Sequence, residues 1–224
     1  MQTKNIKRSI IQWIVLPVVI ITIVLGWKYP ILGFSAPIVM IAGIISGFIN
    51  RRYICGNLCP RGAFFDRIMA CFCKNVVHPG FMKSLYLRII IFIVLIVAMI
   101  FQILQKPYDW RHWGLVFWRM CVITTTAGII LGILFHSRTW CIICPVGTFQ
   151  HIFGKNPAVL IIDSKSCKEC YRCEKFCPMH IHILDHKKQG IVTDRDCIKC
   201  LECVMVCPSC SLAFKRPNDS CITG

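Results

Sequence analysis

Residues 167–178 read CKECYRCEKFCP and residues 197–208 read CIKCLECVMVCP, so one cysteine pattern occurs twice, thirty residues apart. Each copy has the spacing Cys-x2-Cys-x2-Cys-x3-Cys-Pro. Three thiolates on a tight loop and a fourth after a short spacer are the ligands of a cubane 4Fe-4S cluster. Disulfides and structural zinc are the alternatives, but zinc takes its four ligands in two pairs and does not require a doubled run of four. The pattern therefore predicts two iron-sulfur clusters.

The similarity between the two copies extends beyond their cysteines. Apolar segments precede the runs at residues 161–163 and 191–194, and others follow them at 181–184 and 211–214. Each copy is therefore predicted to form a strand, a cluster loop, a short helix and a second strand. This small α+β unit, residues 157–217, resembles the bacterial two-cluster ferredoxin domain, which implies low-potential clusters that transfer single electrons.

The ferredoxin resemblance also implies which cysteines share a cluster. In two-cluster ferredoxins the fourth cysteine of each run ligates the other cluster. The ligand sets implied for this chain are Cys167, Cys170, Cys173 and Cys207 for one cluster, and Cys197, Cys200, Cys203 and Cys177 for the other.

The residues before this unit have the composition of a membrane protein. The whole chain is 56% hydrophobic and only 16% charged, a balance that a soluble protein of this length does not need. Four apolar segments with at most one charge are each long enough to cross a hydrocarbon layer of about 30 Å as a helix. The second contains Pro37 and three glycines, so a broken or re-entrant helix is the alternative there. The predicted membrane helices cover residues 10–27, 31–49, 85–105 and 114–135.

These segments predict an all-α membrane domain over residues 1–156, followed by the ferredoxin unit and a tail at residues 218–224. Lysine and arginine are concentrated beside one end of the predicted helices, which favours a cell-membrane protein with both termini and the ferredoxin unit in the cytoplasm. The reducing cytoplasm also suits thiolate ligands. The net charge of +16 is spread over loops without a nucleic-acid motif, so anionic lipid or an acidic redox partner is preferred to nucleic acid. The basic residues on the predicted cytoplasmic side are Lys4, Lys7, Arg8, Arg51, Arg52, Arg61, Arg67, Lys74, Lys83 and Arg138.

A second repeat lies at the predicted cytoplasmic ends of the helix pairs. One copy follows helix two and the other follows helix four, and both contain two cysteines and then Pro-x-Gly-small-Phe. A two-helix unit used twice would place its cysteine pairs face to face. Four thiolates there predict a third 4Fe-4S cluster, while a redox-active or structural thiol pair near a quinone and inert packing remain alternatives. The cysteines are Cys55 and Cys59 in the first copy, and Cys141 and Cys144 in the second.

Together these features resemble the NapH/NosR-type family of polytopic membrane ferredoxins, over about residues 10–216. The resemblance implies electron transfer between the quinone pool and a reductase system. The second cysteine pair has a two-residue gap where the family usually has three, and nothing corresponds to the large flavin-binding domain of NosR-type members. The family motifs fall on Cys55, Cys59 and Pro60, and on Cys141, Cys144 and Pro145.

Polar residues in or near the predicted helices are candidates for a quinone site. Arg119 lies inside helix four, where an arginine is costly unless it is functional or reaches the outer surface. His112 lies in the loop before it, so His112 and Arg119 together form a candidate site for a quinone headgroup. Cys71 and Cys73, in the loop after the first cysteine-proline motif, are either an extra ligand pair or spare thiols.

The sequence thus predicts a membrane-bound electron-transfer subunit more than a self-contained enzyme. It would pass single electrons between a cytoplasmic redox partner and the quinone pool or a partner membrane subunit. The chain lacks the Cys-x-x-Cys-His motif of covalent haem and the Gly-x-Gly-x-x-Gly motif of dinucleotide binding. The alternatives are a quinol dehydrogenase with its own quinone site, and a thiol-based redox sensor or maturation factor.

Overall fold

A computed structural model of the chain describes residues 2–73, 76, 80–155 and 158–215. The predictions that concern Lys74, the domain boundary at residues 156–157, residues 216–217 and the tail at 218–224 lie outside the described residues, as does the side chain of Lys4.

Four long helices form the N-terminal part of the chain, and each is long and apolar enough to cross a membrane. The second span is continuous, because the 3-10 turn Pro30–Phe34 leads directly into its helix. Pro37 lies in the first turn of that helix, where a missing N–H breaks no intrahelical hydrogen bond. The long helices are α1 (Gln2–Leu25), α2 (Ser35–Asn50), α5 (Leu85–Leu104) and α6 (Trp110–Leu134).

Two short helices follow each pair of long helices and give the two halves the same local structure. In both halves the second cysteine is extended and the next residue, a proline, begins a helix. Proline favours an extended residue before it and is well suited to the first helical position, which explains why the chain turns there. The short helices are α3 (Tyr53–Asn57) and α4 (Pro60–Arg67) in the first half, and α7 (Thr139–Ile143) and α8 (Pro145–Phe153) in the second.

The C-terminal region is a three-stranded antiparallel sheet with the strand order β2-β1-β3. Its core includes Leu160, Val192 and Leu212, all less than 4% exposed. The elements are β1 (Val159–Ile162), α9 (Arg172–Lys175), the 3-10 helix Leu184–Gln189, β2 (Ile191–Val192), α10 (Glu202–Met205) and β3 (Leu212–Lys215).

The strand predicted at residues 181–184 is wrong. Ile181 and Ile183 are buried, which produced the alternating pattern of a strand, but no strand is formed there and Leu184 begins the 3-10 helix. These side chains fill the core of the ferredoxin region while their backbone stays outside the sheet. The strand predicted at residues 211–214 is confirmed by β3.

The end of the bundle away from the cysteine motifs is closed by a contact between glycines. A Cβ atom on Gly114 in α6 would meet the backbone carbonyl of Pro30, and one on Gly33 would meet the backbone of Gly114. Nearby, the indole N–H of Trp118 donates to the carbonyl of Ile23 at 3.1 Å. The chain between α1 and α2 therefore packs directly on the backbone of α6.

Candidate functional site

The two cluster loops of the ferredoxin region share an unusual backbone conformation. Six non-glycine residues there have positive φ angles, and they form three pairs thirty residues apart. Such conformations cost about 1–3 kcal/mol each and persist only where the surrounding structure imposes them. They turn successive amide groups towards one point, which creates an anion-binding nest of the kind found at iron-sulfur sites. The pairs are Glu169 and Lys199, Tyr171 and Leu201, and His180 and Cys210.

The eight ferredoxin cysteines line two separate cavities, and each cavity takes three cysteines from one run and the fourth from the other. This is the crossed grouping that the ferredoxin resemblance implies, and the donor set of each cavity suits one 4Fe-4S cluster. One cavity is lined by Cys167, Cys170, Cys173 and Cys207, and the other by Cys177, Cys197, Cys200 and Cys203.

Among the described residues, no three histidine, cysteine, aspartate or glutamate side chains converge closely enough to hold a single metal ion. A cubane of four irons takes one thiolate at each iron, so two groups of four cysteines match the ligand number of two such clusters.

The four cysteines of the membrane half lie close enough together to influence one another electrostatically. Burial raises the pKa of Cys55, and the neighbouring thiols of Cys59, Cys144 and Cys141 raise it further. Burial likewise raises the pKa of Cys141 to about 11. The thiol of Cys55 donates to Oε1 of Gln150 at 3.0 Å. Without iron, the raised pKa values keep Cys55, Cys59 and Cys141 as neutral thiols, which are poor nucleophiles for disulfide exchange.

Two buried arginines cross between the halves at this site. Nη1 of Arg138 donates to the carbonyl of Cys55 at 2.7 Å. In the opposite direction, Arg52 donates to the carbonyls of Cys141 at 3.3 Å and Gly147 at 2.7 Å. Each arginine lies three residues before the first cysteine of its own half. The sequence analysis missed both, although the repeated Arg-x-x-Cys was a signal that could have found them.

Asp66 in α4 is the counterion of Arg138. The two side chains form two hydrogen bonds of 2.6 Å, and Asp66 also accepts from Arg8 and Gln12 of α1. Burial alone would raise the pKa of Asp66, but the positive charge of Arg138 and the hydrogen bonds hold it below the usual value. Asp66 therefore remains a carboxylate and joins α1 to both halves of the cysteine site.

Asp196, which directly precedes Cys197, is the counterion of Arg52 but comes from the ferredoxin region. Its carboxylate lies 3.1 Å from Arg52, accepts two hydrogen bonds of 2.6 and 2.9 Å from Arg88, and lies 2.8 Å from Nδ1 of His151. Burial opposes ionisation, yet the charge of Arg52 and the bonds from His151 and Arg88 keep its pKa well below the usual range. The carboxylate thus attaches the cluster loop to the membrane half.

The two halves therefore differ in the origin of the carboxylate that pairs with the buried arginine. Asp66 and His151 occupy the same position, seven residues after the second cysteine of each half. The first half contains its own carboxylate, whereas the second half has a histidine and receives Asp196 from the ferredoxin region. The carboxylate of the cluster loop, Asp196, therefore lies beside His151 and binds Arg52 of the membrane half.

Two further polar contacts hold the ferredoxin region against the membrane half. Arg8 of α1 donates to Oε1 of Glu202 at 2.6 Å, and Nζ of Lys83 donates to the carbonyl of His180 at 2.7 Å. The start of α1, both cysteine-proline motifs and the ferredoxin region consequently lie at one end of the helix bundle.

The cluster loop and the membrane cysteine motif also touch through their backbones. A Cβ atom on Gly56 would meet the carbonyl of Ile198. Gly56 directly follows Cys55, and Ile198 directly follows Cys197. The loop that carries Cys197 therefore contacts the membrane cysteine motif directly.

An apolar cavity of about 180 Å³ lies inside the helix bundle, next to the membrane cysteines. Its walls include Cys59, Cys144 and residues from all four long helices. The charged side chain in its wall is that of Arg61, whose Nη2 lies 3.4 Å from both the carbonyl and the sulfur of Cys121. Within the described residues, the buried indole N–H of Trp140, also in the wall, has no hydrogen-bond partner.

The candidate quinone residues predicted from the sequence lie elsewhere. Arg119 is exposed on α6, and Nε2 of His112 lies 2.8 Å from the carbonyl of Gln102. Neither belongs to the wall of the bundle cavity. Cys71 is exposed, and the thiol of Cys73 donates to the carbonyl of Met69 at 2.9 Å.

Comparison with known families agrees with this geometry. A family described as a 4Fe-4S dicluster domain matches residues 159–208. A family described as a 4Fe-4S binding domain matches residues 32–73 and 118–163, one segment in each half of the membrane region. The chain is therefore a multi-pass membrane protein that binds 4Fe-4S clusters.

Among its relatives is the putative electron transport protein YccM of Escherichia coli K12, 25% identical over 209 residues, which are 82% of this chain and 56% of YccM. The ferredoxin-type protein NapH of the same organism is 24% identical over 187 residues, 75% of this chain and 63% of NapH. A ferredoxin of Methanothermococcus thermolithotrophicus is 36% identical over 57 residues, 25% of this chain and 95% of that protein. No solved structure matches. These relatives and the two family matches support a NapH-type 4Fe-4S membrane ferredoxin with an iron-sulfur electron-transfer role.

Proposed function

We propose that the chain passes single electrons along three 4Fe-4S clusters, between a redox partner on the cytoplasmic side and the quinone pool or a partner subunit in the membrane. The two ferredoxin clusters take the crossed cysteine sets described above. The third is held at the membrane boundary by Cys55, Cys59, Cys141 and Cys144. Both termini and the ferredoxin region, residues 157–217, are then cytoplasmic.

The observation that carries this proposal is the contact between the loop of Cys197 and the motif of Cys55. Gly56 and Ile198 touch, and Asp196 is bound by Arg52 and Arg88 of the membrane half. The proposed order begins at the outer ferredoxin cluster and passes through the inner ferredoxin cluster to the membrane cluster. The outer cluster is the one held by Cys167, Cys170, Cys173 and Cys207, and the inner cluster is the one held by Cys177, Cys197, Cys200 and Cys203. Cys170 and Tyr171 beside the outer cluster are exposed, so a soluble partner can approach that side.

The clusters supply the electron carriers, and the protein supplies their ligands, their spacing and their surroundings. The cysteines hold the irons as thiolates. The left-handed residues of the ferredoxin loops direct amide groups at the anionic sulfurs. At the membrane site, buried N–H donors support the fit of a cluster, because they could donate to its sulfurs. Nε of Arg52 and Nε1 of Trp140 are two such donors, and neither has a hydrogen-bond partner among the described residues.

The iron content of anaerobically purified protein tests the third cluster. The native chain should contain about twelve irons and as many acid-labile sulfides, and the double variant Cys55→Ser/Cys141→Ser about eight, because each cubane carries four irons. The matched control is Cys71→Ser/Cys73→Ser, which should keep about twelve. About eight irons in the native chain would remove the membrane cluster and return these cysteines to thiol chemistry, as in a redox sensor or maturation factor.

The bundle cavity favours a quinone near the membrane cluster as a second element of the function. The cavity is apolar, opens between the long helices and contains the cation of Arg61, which can donate to a quinone oxygen. The alternative position at His112 and Arg119 lies outside this cavity, in the N-terminal half of α6. A quinone in the bundle cavity beside Arg61 would be close to the proposed membrane cluster.

Variants of the two arginines distinguish the quinone positions. Arg61→Met should abolish photolabelling of the chain by an azido-quinone and oxidation of its clusters by a short-chain quinone, while Arg119→Met should leave both unchanged. The opposite result would place the quinone at His112 and Arg119. Catalytic turnover of a quinol by the isolated chain would favour the quinol dehydrogenase.

A further inference from the structure

Arg52 and Arg138 are among the most buried side chains of the protein, with 1% and 0% of their surface exposed. A buried guanidinium is costly unless its charge and its five donors are satisfied. Asp66 accepts hydrogen bonds from only two nitrogens of Arg138, Nε and Nη2. Nε of Arg52 has no hydrogen-bond partner among the described residues. The two arginines therefore keep donor capacity at the proposed membrane cluster, and the single negative charge of Asp196 is shared between Arg52 and Arg88.

Their position next to the sulfurs is seen directly for one of them. Nη1 of Arg138 lies 3.7 Å from Sγ of Cys141, in addition to its bond to the carbonyl of Cys55. The same guanidinium group thus contacts one cysteine of each half. Arg52 makes the corresponding bond to the carbonyl of Cys141.

The glycine of each Cys-Pro-x-Gly motif is explained by the same pair of arginines. A Cβ atom on Gly62 would lie 2.9 Å from Nη1 of Arg138, and one on Gly147 would lie 3.3 Å from Nη2 of Arg52. In each half the added atom would also lie 2.9 Å from the carbonyl of the first cysteine. The absence of a side chain therefore leaves room for the arginine that crosses from the other half.

We propose that Arg52 and Arg138 are positioning residues that hold the two cysteine-proline turns around one shared cluster and compensate its negative charge. This inference rests on the proposed third cluster. A cubane with four thiolates is anionic, and its reduction adds one electron and one negative charge without making or breaking a bond. Cations and N–H donors near the sulfurs favour the reduced form. The arginines accordingly raise the midpoint potential of the membrane cluster.

Arg138→Gln tests the charge, because glutamine keeps a donor at this position but removes the cation. The EPR-monitored midpoint potential of the membrane cluster should shift to a more negative value, while the potentials of the two ferredoxin clusters stay unchanged. Arg51→Gln is the matched control. Arg51 also crosses to the second half, but it donates to the carbonyl of Gly154 and not to a cysteine turn. Its variant should leave the potential of the membrane cluster unchanged.

A second variant addresses folding, since Arg138→Gln leaves Asp66 with less compensation. Arg138→Gln/Asp66→Asn removes both charges together and should show a smaller negative shift, because the loss of the Asp66 carboxylate opposes the loss of the Arg138 cation. Selective loss of about four irons from either variant, with the ferredoxin signals intact, would also support the positioning role.

The results separate this inference from the proposed function. About eight irons in the native chain would refute the membrane cluster, and the inference with it. About twelve irons in the native chain and in both Arg138 variants, with an unchanged potential of the membrane cluster, would overturn the inference alone. A merely structural arginine would give that second result.

Discussion

Asp196→Asn is expected to release the ferredoxin region from the membrane half while leaving its two clusters in place. Asparagine has nearly the same shape but lacks the charge that balances Arg52 and Arg88. Breaking a buried ion pair by removing one partner costs about 3–5 kcal/mol, because the remaining charge stays buried. Here two arginines lose their counterion at once, so this is among the largest effects expected of any single substitution.

Hydrogen-deuterium exchange and electron transfer measure this release. Exchange should increase on both sides of the contact, in Tyr53–Asn57 and in residues 197–203. After rapid reduction of the ferredoxin clusters, electron transfer to the proposed membrane cluster should slow, since the spacing of the clusters is lost. Asp185→Asn removes an exposed carboxylate of the same region and should change neither measurement. Unaltered exchange in Asp196→Asn would show that the carboxylate does not hold the two parts together.

Gly114→Ala is expected to destabilise the helix bundle at its other end. Alanine in place of glycine within a helix would by itself stabilise α6 by about 1 kcal/mol. The new methyl group, however, would meet the backbone carbonyl of Pro30, which cannot rotate away as a side chain can. Inserting atoms into closely packed positions costs about 1–3 kcal/mol or more, so the steric effect should outweigh the helix propensity. Close packing is also a main source of helix association in lipid.

The free energy of unfolding in mixed micelles, followed by circular dichroism, measures this effect. Gly114→Ala should lower it by about 1–3 kcal/mol. Gly80→Ala is the control, because a Cβ atom there would have no neighbour within 4 Å. Equal stability of the two variants would mean that α6 does not need the close approach to the turn Pro30–Phe34.

The sequence was sufficient for the parts of the fold that repeat. The cysteine spacing indicated a ferredoxin region, and long segments with at most one charge predicted the four long helices. The predicted ends agree within a few residues, except that α1 begins at Gln2 and not at residue 10. Both signals are local, because ligand spacing and hydrophobic length are set by neighbouring residues. The strand prediction for residues 181–184 failed because strand formation there is not decided by neighbouring residues. Alternating burial there arises from packing in the core, and only the tertiary structure decides whether a ladder partner is present.

The ion pairs at the cysteine site could not be predicted from the sequence of the individual segments that form it. Arg88 lies near the start of α5, where an arginine side chain can reach back to the membrane surface, but it is fully buried and binds Asp196, 108 residues later in the chain. Such pairs depend on two distant segments, neither of which has an unusual sequence by itself. The candidate quinone residues His112 and Arg119 were chosen by residue type alone, whereas the cavity beside Arg61 is formed by all four long helices.

The replacement of an aspartate by His151 in the second half also has a consequence for how the protein is assembled. Until the ferredoxin region has folded, Arg52 lacks its carboxylate, and the membrane half alone cannot neutralise it. Asp196 can fill this place only when the loop before Cys197 has its final shape. Maturation of the membrane site would then wait for the inner ferredoxin loop.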